Sequence, residues 1–501
     1  MGLDPKKPPS QRLDTLWASR CFFPLPLVWF CLIALIISLL TPLLIAQSDI
    51  WFHLRNARQL LATHSFLQTD SYTFTTPGAA LLNHEWLAEL PYYLGYQSFG
   101  LRGMAATNTL ILCLVFGGVY YLSCWRRADC SDAALMIIAA LLLGLSSSGP
   151  RMDHFGYLCL VLLMIALERF QQTGKSAWVI PPLFAVWINF HGSWVFGFVI
   201  VGIYTLSGLV KKQQGRIIAE PWKPGQLRKL LLATAASLAA LLVNPYGYKL
   251  VWYPFDLLLR QQANLGNVVE WQSVDFHSLN GKMALSMLFL VLGVGLLSQR
   301  KWAVRDLVML SFALWSALNH VRFLSFAAIV VVPILSPKLQ ICPTYDPGKD
   351  NSWRNLAAAL PILVLLLWAF PTSERLQRAI DKNFPREALH YMEQTNITGP
   401  LFHRYDFGGY IEWNAPQIKT FADGRTDIFV YSGVFDEYLQ ASRTNRPFDI
   451  LNKYKIDYVL YPPNTSLTYL LDRSPEWRMI YIDSVAALYQ RVNGVTTQQL
   501  K

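Results

Sequence analysis

The sequence predicts a mainly α-helical, polytopic membrane protein that ends in a small α/β domain outside the membrane. Two observations support this fold class. Of the 501 residues, 53% are hydrophobic and only 15% are charged, and the mean hydropathy is +0.29, whereas soluble domains carry about 25% charged residues. The apolar residues also come in long blocks rather than in amphipathic stripes, as expected of helices surrounded by lipid.

Eleven apolar blocks approach the ~20 residues that a membrane-spanning helix needs. They lie at about 24–46, 103–124, 132–148, 154–169, 177–190, 193–210, 230–243, 283–298, 306–318, 320–336 and 355–371. We therefore predict about 11 transmembrane helices in a membrane module, residues 1–371, which includes a first outer loop at 47–101. The first block is too long for a cleaved signal peptide and is predicted to be a retained helix.

Basic residues are divided unequally between the loops on the two sides of these blocks. Loops on the side of the N-terminus carry 20 Lys and Arg residues, and the opposite loops carry 8. Because cytoplasmic loops are enriched in Lys and Arg, this places the N-terminus in the cytoplasm and the C-terminal domain outside. The net charge of +11 lies beside the apolar blocks, so it indicates contact with membrane lipids and not with nucleic acid.

The C-terminal segment, residues 372–501, reads as the small external α/β domain. Residues 385–395 predict a helix with a proline at its start. Short runs predict strands at Ile418–Ala422, Tyr458–Tyr461 and Val485–Arg491.

The first outer loop contains two amphipathic segments, 52–62 and 85–96, that predict helices. Helices of this kind lie on a membrane surface or pack against the rest of the protein, and the sequence leaves both alternatives open.

Ionisable residues recur at the outer ends of the predicted spans and in the first loop. They are Asp49, His53, His84, Glu85, Arg151, Asp153, His154, His191, Glu270, His320 and Arg322. An ionisable group at bilayer depth costs roughly 2.5–3.5 kcal/mol, so it persists mainly where it is paired or functional. One outward-facing cavity ringed by these ends would explain them together. The alternative is that each residue lies at the polar membrane interface.

The segment SDIWFHLRNARQLLATHSF, which begins at residue 48, resembles the first-loop segment of the GT-C superfamily of membrane glycosyltransferases. The superfamily includes the oligosaccharyltransferase catalytic subunit and the protein O-mannosyltransferases, which use polyprenyl-linked sugar donors. The resemblance implies a GT-C-like fold and a catalytic role for Asp49. RYDFGGYIEW and KTFADGRTDIF in the tail are similar to the Trp-Trp-Asp-Tyr-Gly motif and its acidic continuation, but Arg404 and Tyr405 replace the tryptophans. Peptide-acceptor recognition is therefore not implied.

Sugar transfer with inversion needs a carboxylate that deprotonates the acceptor and cationic groups that stabilise the departing lipid phosphate. We expect Asp49 to be the base, and we expect the phosphate or cavity groups to be Arg151, Asp153, His154, His191, His320 and Arg322. His53, His84 and Glu85 are expected in the first-loop part of the cavity. Asp406, Asp423 and Arg425 are candidates for holding the acceptor, whose identity the sequence does not give.

The metal requirement is left open: a divalent metal is compatible with the resemblance, but no D-x-D pair in the first loop indicates one. No Walker loop or Gly-rich dinucleotide motif is present, which disfavours a nucleotide-type donor site.

The predicted function is transfer of a sugar from a polyprenyl-phosphate-linked donor to an acceptor on the outer, periplasmic face. The main alternative is a transporter or flippase, since Pro181-Pro182 and Asn244-Pro245 interrupt apolar stretches. An assembly or sensing role for the tail is a third. The multi-span chain and the lack of a disulfide framework favour a bacterial inner membrane over the endoplasmic reticulum.

Overall fold

A computed structural model describes residues 22–143, 149–219, 221–260 and 266–492. Two parts of the sequence-based topology lie outside the described residues. They are the four basic residues that precede residue 22 and residues 144–148 of the third apolar block. Helices make up 65% of the structure.

In chain order the helices are α1 (Leu25–Leu44), α2 (Ile50–Thr63), α3 (Trp86–Trp125), α4 (Cys130–Leu143), α5 (Asp153–Thr173), α6 (Ile180–Phe190), α7 (Trp194–Ser207), α8 (Gln226–Ala240), α9 (Tyr248–Arg260), α10 (Leu279–Leu297), α11 (Val304–Asn319), α12 (Leu324–Leu335), α13 (Ser352–Ala369), α14 (Ser373–Asp381), α15 (Arg386–Gln394), α16 (Gly408–Asn414), α17 (Thr426–Ser432), α18 (Val434–Ser442), α19 (Pro447–Lys453) and α20 (Ser466–Leu471). The strands are β1 (Lys212–Gln214), β2 (Ile217–Ala219), β3 (Trp302–Ala303), β4 (Leu401–His403), β5 (Tyr458–Tyr461), β6 (Trp477–Ile482) and β7 (Ala487–Arg491).

Each predicted apolar block contains one of these helices. Five segments of the described chain are long and apolar enough to cross a membrane: Leu25–Pro42, Trp86–Trp125, Leu279–Leu297, Val321–Lys338 and Ser352–Ala369. Further apolar helices at Cys130–Leu142, Ala177–Phe190 and Trp194–Ser207 are shorter. The chain is thus a helical integral membrane protein, and the count of eleven spans stays a prediction.

The chain divides into two compact units. Of the described residues, unit 1 holds those up to 44 and those within 105–254 and 267–371, and unit 2 holds those within 45–104, 255–266 and 372–501. The first outer loop therefore belongs to the same compact unit as the tail, whereas the sequence-based division grouped it with residues 1–371. The physical reason lies in contacts between the loop and the tail, which are described below.

Unit 1 is a bundle of apolar helices with aromatic residues at its centre. Phe170 on α5, Trp187 on α6 and Tyr204 on α7 are at most 1% exposed. A Cβ built on Gly197 of α7 would lie 2.7 Å from the Trp187 ring, so a glycine is needed for this close approach. Small residues at helix contacts are typical of membrane bundles, where van der Waals packing drives association. Trp368 on α13 is 82% exposed, as expected of a side chain that faces lipid.

Helix α3 contains a sharp break at Phe99 and Gly100. Gly100 has φ +59° and ψ −143°, a conformation that side-chain-bearing residues avoid. The break separates residues 86–98, which match the predicted loop helix at 85–96, from the helical stretch that matches the predicted span at 103–124.

Unit 2 is built around a four-stranded sheet of order β4-β5-β7-β6, in which only the β4–β5 pair is parallel. The predicted helix at 385–395 is α15, and two predicted strands are β5 and β7. The predicted strand Ile418–Ala422 is wrong. Thr420 makes a single bridge to Thr73 of the first outer loop, with Thr420 N donating to Tyr72 O at 3.2 Å, so no ladder forms.

The loop helix α2 is a packing helix of unit 2. Ile50, Trp51 and Leu54 are at most 2% exposed, and the Trp51 ring lies edge-on to Tyr410 of α16 at 5.0 Å. Arg55 also donates a hydrogen bond to the backbone oxygen of Glu412 at 2.8 Å. Of the two alternatives for this segment, the structure supports packing against the protein.

Candidate active site

Asp49 lies directly before α2 as its N-cap residue, with an exposed side chain and no capping hydrogen bond to the helix. Ser48 donates its hydroxyl proton to Oδ1 of Asp49 at 2.9 Å. The buried residues Trp51 and Phe52 fix the position of the helix that follows. An exposed carboxylate on a well-packed backbone is suited to accept a proton from a bound acceptor.

The glycine motifs of the tail pack against this segment. A Cβ built on Gly424 would lie 2.4 Å from Oδ1 of Asp49 and 2.7 Å from the Phe52 ring. A Cβ on Gly409 would lie 3.2 Å from the backbone nitrogen of Phe52. Glycines allow positive φ and close approach of the backbone to a ligand. Neither has a positive φ, and the close approach observed is to the Asp49 segment itself.

Asp427 is a carboxylate of this region that the sequence analysis did not select. Burial raises its pKa, while the nearby charges of His84 and Arg425 oppose the shift. Burial also raises the pKa of Tyr405, which is close enough to Asp49 and Asp427 to be affected by both charges. The Tyr405 hydroxyl lies 2.6 Å from Oγ1 of Thr426. The only sequence signal for Asp427 is that it is the second acidic residue of the ADGRTD motif.

His53 is the centre of a second group of polar residues in unit 2. Its Nδ1 lies 2.8 Å from Oε1 of Glu89, and its Nε2 lies 3.5 Å from Oε2 of Glu85. Burial alone lowers the pKa of His53, but the hydrogen bond to Glu89 and the charge of Glu85 outweigh it, so the pKa is raised. His84 Nε2 lies 3.7 Å from Glu85. The structure thus brings together three residues that the sequence analysis selected, His53, His84 and Glu85. It also shows a fourth member of the group, Glu89, which the sequence analysis did not select.

The tail residues Asp423 and Arg425 are buried in an ion cluster with Asp70 and Glu412. Arg425 Nε donates to Asp423 Oδ1 at 2.8 Å, and its Nη1 lies 3.0 Å from Asp70 Oδ1. Burial would raise the pKa of Asp423, but the charge of Arg425 holds it below its usual value. Burial and the charge of Asp423 raise the pKa of Glu412 well above its usual value.

Asp406 differs from these two residues, because it is exposed and pairs with Arg404 at 2.9 Å. The acceptor role of Asp406, Asp423 and Arg425 stays a prediction. What the structure shows for Asp423 and Arg425 is that their buried charges flank Gly424, the residue that contacts Asp49.

Unit 1 contains a cluster around Arg151. Its guanidinium makes a bidentate contact with Glu270, with Nη1 to Oε1 at 2.6 Å and Nη2 to Oε2 at 2.8 Å. Its Nε lies 3.6 Å from Asp153, the first residue of α5. Burial raises the pKa of Glu270, but Arg151 outweighs it and holds the pKa at about 2. Asp153 also accepts a hydrogen bond from Tyr157 at 3.3 Å and lies 3.9 Å from Nε2 of His154.

The remaining predicted residues of unit 1 occupy helix ends. His191 follows α6, and its Nδ1 accepts a hydrogen bond from the backbone of Ser193 at 3.0 Å. His320 follows α11 and hydrogen-bonds the backbone oxygen of Trp271 at 2.5 Å. Arg322 lies over the Trp271 ring at 5.2 Å. Glu270, which pairs with Arg151, and Trp271, which lies under Arg322, are thus adjacent residues. Both belong to the 3₁₀ turn Val269–Trp271.

Two cavities of about 380 and 190 Å³ lie elsewhere in unit 2, with Arg386, Leu389 and Asn414 lining both. None of the predicted site residues lines either cavity. The single cavity expected from the sequence stays a prediction. Among the residues that the structure describes, no group of three His, Cys, Asp or Glu side chains is arranged to hold a metal ion.

Comparison with known proteins gives structural matches only. No protein-family model matches the sequence, and no curated protein matches it significantly. The structure of ArnT from Cupriavidus metallidurans bound to undecaprenyl phosphate is similar, with a TM-score of 0.52 and 14% identity over 93% of this chain and 98% of ArnT. The oligosaccharyltransferase of Archaeoglobus fulgidus, tethered to an acceptor peptide, gives a TM-score of 0.52 and 13% identity over 87% of this chain and 68% of that protein. These likenesses confirm the resemblance to GT-C glycosyltransferases at the level of the fold.

Proposed function

We propose that this protein is a membrane glycosyltransferase that moves a sugar from a polyprenyl-phosphate-linked donor to an acceptor on the outer face of the membrane. The observation that carries the proposal is the GT-C-like fold, which extends over nearly the whole of ArnT, a protein solved with undecaprenyl phosphate bound. The proposed donor and acceptor classes are supported by that structural likeness and by the residues of this chain described above.

Asp49 is the proposed general base. In an inverting transfer the acceptor oxygen bonds to the anomeric carbon while the bond from that carbon to the phosphate oxygen breaks. The acceptor proton goes to the carboxylate, and the lipid phosphate leaves with the electron pair. Asp49 suits this role because its carboxylate is exposed and Gly424 leaves space for it. His53, His84 and Glu85 are proposed to line the same region of unit 2.

Arg151 and Arg322 are the proposed groups for the donor phosphate, with His154, His191 and His320 as further polar contacts and Asp153 as the residue that orients Arg151. A guanidinium matches the oxygens of a phosphate with two parallel hydrogen bonds. The fork between Arg151 and Glu270 shows that this guanidinium can present two donors to one anion. No step is assigned to a metal ion.

The proposed location is a bacterial inner membrane, crossed eleven times, with the N-terminus in the cytoplasm and residues 372–501 outside. The support is the distribution of basic residues, 20 on one side and 8 on the other. Asp406, Asp423 and Arg425 are proposed to serve the acceptor side, Asp406 from an exposed position and the other two from the buried cluster.

The test is transfer by the purified full-length protein in lipid nanodiscs. Lipid-linked donors labelled in the sugar are supplied with bacterial membrane extract as the acceptor source. We expect the label to leave the polyprenyl fraction, and we expect Asp49→Asn to slow this by two or more orders of magnitude, the usual scale for a lost general base. Asp436→Asn, which removes an exposed carboxylate on α18, is the matched control.

Two outcomes would contradict the proposal. Asp49→Asn with turnover like that of the Asp436→Asn control would exclude Asp49 as the base. Movement of intact lipid-linked donor across proteoliposomes, without any transfer of sugar, would show a transporter or flippase.

A further inference from the structure

The contact between Arg151 and Glu270 occupies the guanidinium that the proposed function assigns to the donor phosphate. Both terminal nitrogens of Arg151 are used, at 2.6 and 2.8 Å from the two oxygens of Glu270. The Arg151 side chain is 18% exposed and the Glu270 side chain is 40% exposed. The pair is thus reachable from solvent, and Glu270 is the more accessible partner.

A carboxylate and a phosphate bind the two terminal nitrogens of an arginine in the same way. Only one of them can make this bidentate contact with Arg151 at a time. Asp153, at 3.6 Å from Nε, approaches the guanidinium at a different nitrogen and leaves the two terminal nitrogens to Glu270.

The segment that carries Glu270 is also linked to the other proposed phosphate groups. The next residue, Trp271, accepts the hydrogen bond of His320 through its backbone oxygen and lies under the guanidinium of Arg322. A shift of the Val269–Trp271 turn would therefore alter the contacts of Arg151, His320 and Arg322 together.

We propose that Glu270 is a built-in competitor of the donor phosphate: it occupies Arg151 while no lipid phosphate is bound, and donor binding displaces it. The inference rests on the proposed function, because it assumes that Arg151 receives the phosphate. Glu270 keeps the partly buried guanidinium of Arg151 paired in the empty protein, where an unpaired charge would be costly. It also lowers the apparent donor affinity, which is the intrinsic affinity multiplied by the fraction of molecules in which Glu270 does not occupy Arg151.

The test measures binding of undecaprenyl phosphate to the full-length protein in nanodiscs. We expect Glu270→Gln to lower the Kd about 5- to 10-fold, because a neutral amide competes weakly for a guanidinium. Arg151→Gln is expected to raise the Kd at least about tenfold. In the double variant the gain from Glu270→Gln is expected to vanish, since the double-mutant cycle isolates the coupling between the two residues.

Two controls separate this mechanism from simple removal of negative charge. Asp275→Asn removes an exposed carboxylate a few residues further along the same loop and is expected to change the Kd less than about twofold. Glu270→Asp keeps the charge but shortens the side chain by one methylene, so an intermediate gain is expected. This variant also tests the proposal should Glu270→Gln fail to fold.

The outcomes distinguish the proposal from the function on which it rests. Unchanged or weaker binding by both Glu270 variants, with binding lost in Arg151→Gln, overturns the competitor role alone and shows a permanent structural ion pair. A gain that persists in the Arg151→Gln background, or that Asp275→Asn reproduces, also overturns it. Wild-type-like binding by Arg151→Gln overturns the donor role of Arg151 itself.

Discussion

The position of the Asp49 carboxylate depends on the absence of a side chain at Gly424. Because an added Cβ would lie 2.4 Å from Oδ1 of Asp49 and 2.7 Å from the Phe52 ring, Gly424→Ala must displace the carboxylate or the loop. A misplacement of about 1 Å at a catalytic group costs up to ~100-fold in rate. We therefore expect Gly424→Ala to lower kcat by about 10- to 100-fold while the Kd for undecaprenyl phosphate stays within about twofold.

The matched control is Gly202→Ala on α7, where an added Cβ meets no atom within 4 Å. Its kcat is expected to equal that of the wild type. Equal kcat values for Gly424→Ala and the control would show that the close approach of Gly424 has no bearing on Asp49.

His53 makes the stability of unit 2 depend on pH. Its pKa in the folded protein is raised above the ordinary value of 6.5, because the hydrogen bond to Glu89 and the charge of Glu85 outweigh burial. The folded state therefore binds this proton more tightly than the unfolded state does. The resulting stabilisation is fully present below about pH 6.5 and is lost as the pH rises through the folded-state pKa.

His53→Gln is expected to remove this contribution. The difference in apparent melting temperature between wild type and variant should be largest near pH 5.5 and should shrink as the pH rises above 6.5. Melting curves of the two proteins between pH 5.5 and 9 provide the measurement. A difference that stays constant over this range would show that His53 acts through packing alone.

The sequence predicts several residues of the candidate site but not which of them contact one another. Arg151 is predicted because it lies at the end of an apolar block, and the catalytic role of Asp49 is predicted from the resemblance of its segment to the first loop of GT-C proteins. Glu270 is 119 positions from Arg151, and Gly424 is in another domain of the sequence from Asp49. Such pairs are created by tertiary packing, which hydrophobic patterning does not encode. Only the glycine and acid motifs of the tail gave a partial signal.

At the scale of elements, patterning predicted helices better than strands. All eleven apolar blocks contain helices, because a long apolar run leaves the backbone few other ways to satisfy its hydrogen bonds in lipid. The run Ile418–Ala422 shows the limit of the method. Three of its five residues are apolar and all except Lys419 are buried, yet its backbone meets a loop, and only Thr420 forms a bridge. Strand formation requires a partner strand, which the sequence of one segment cannot specify.

The ion cluster around Arg425 joins elements of the first outer loop and the tail. Arg425 contacts Asp423 and Glu412 of the tail and Asp70 of the loop, and it is the cation of this buried group. Removal of one partner from a buried ion pair costs about 3–5 kcal/mol, because the opposite charges are left uncompensated. We expect Arg425→Ala to lower the apparent melting temperature strongly and to expose the loop to limited proteolysis.

Arg404→Ala is the matched control, because Arg404 and Asp406 form an exposed pair with both side chains 46% exposed. Pairs of this kind contribute about 0–1 kcal/mol, so little change in melting temperature is expected. A stable Arg425→Ala protein with a raised KM for the acceptor would instead support direct contact between Arg425 and the acceptor.

At the scale of the whole molecule, the first outer loop and the tail form one unit, although most of the helical bundle separates them in sequence. Asp70, Thr73 and Asp49 of the loop each contact the tail, through Arg425, Thr420 and Gly424 respectively. The loop and the tail must therefore reach the same side of the membrane. This requires an even number of spans between the loop and the tail.

The predicted eleven-span topology has this parity, and it places residue 440 outside and residue 213 in the cytoplasm. Gln440 on α18 and Gln213 on β1 are both exposed. We expect Gln440→Cys to react with a membrane-impermeant maleimide in intact cells and Gln213→Cys to react only after permeabilisation, both in a background without the native cysteines. The reverse pattern would invert the orientation. Six of the eleven predicted blocks precede residue 213 and five follow it, so residue 213 and the tail are expected on opposite sides of the membrane. Labelling of both positions in intact cells would place them on the same side and would contradict the predicted span count.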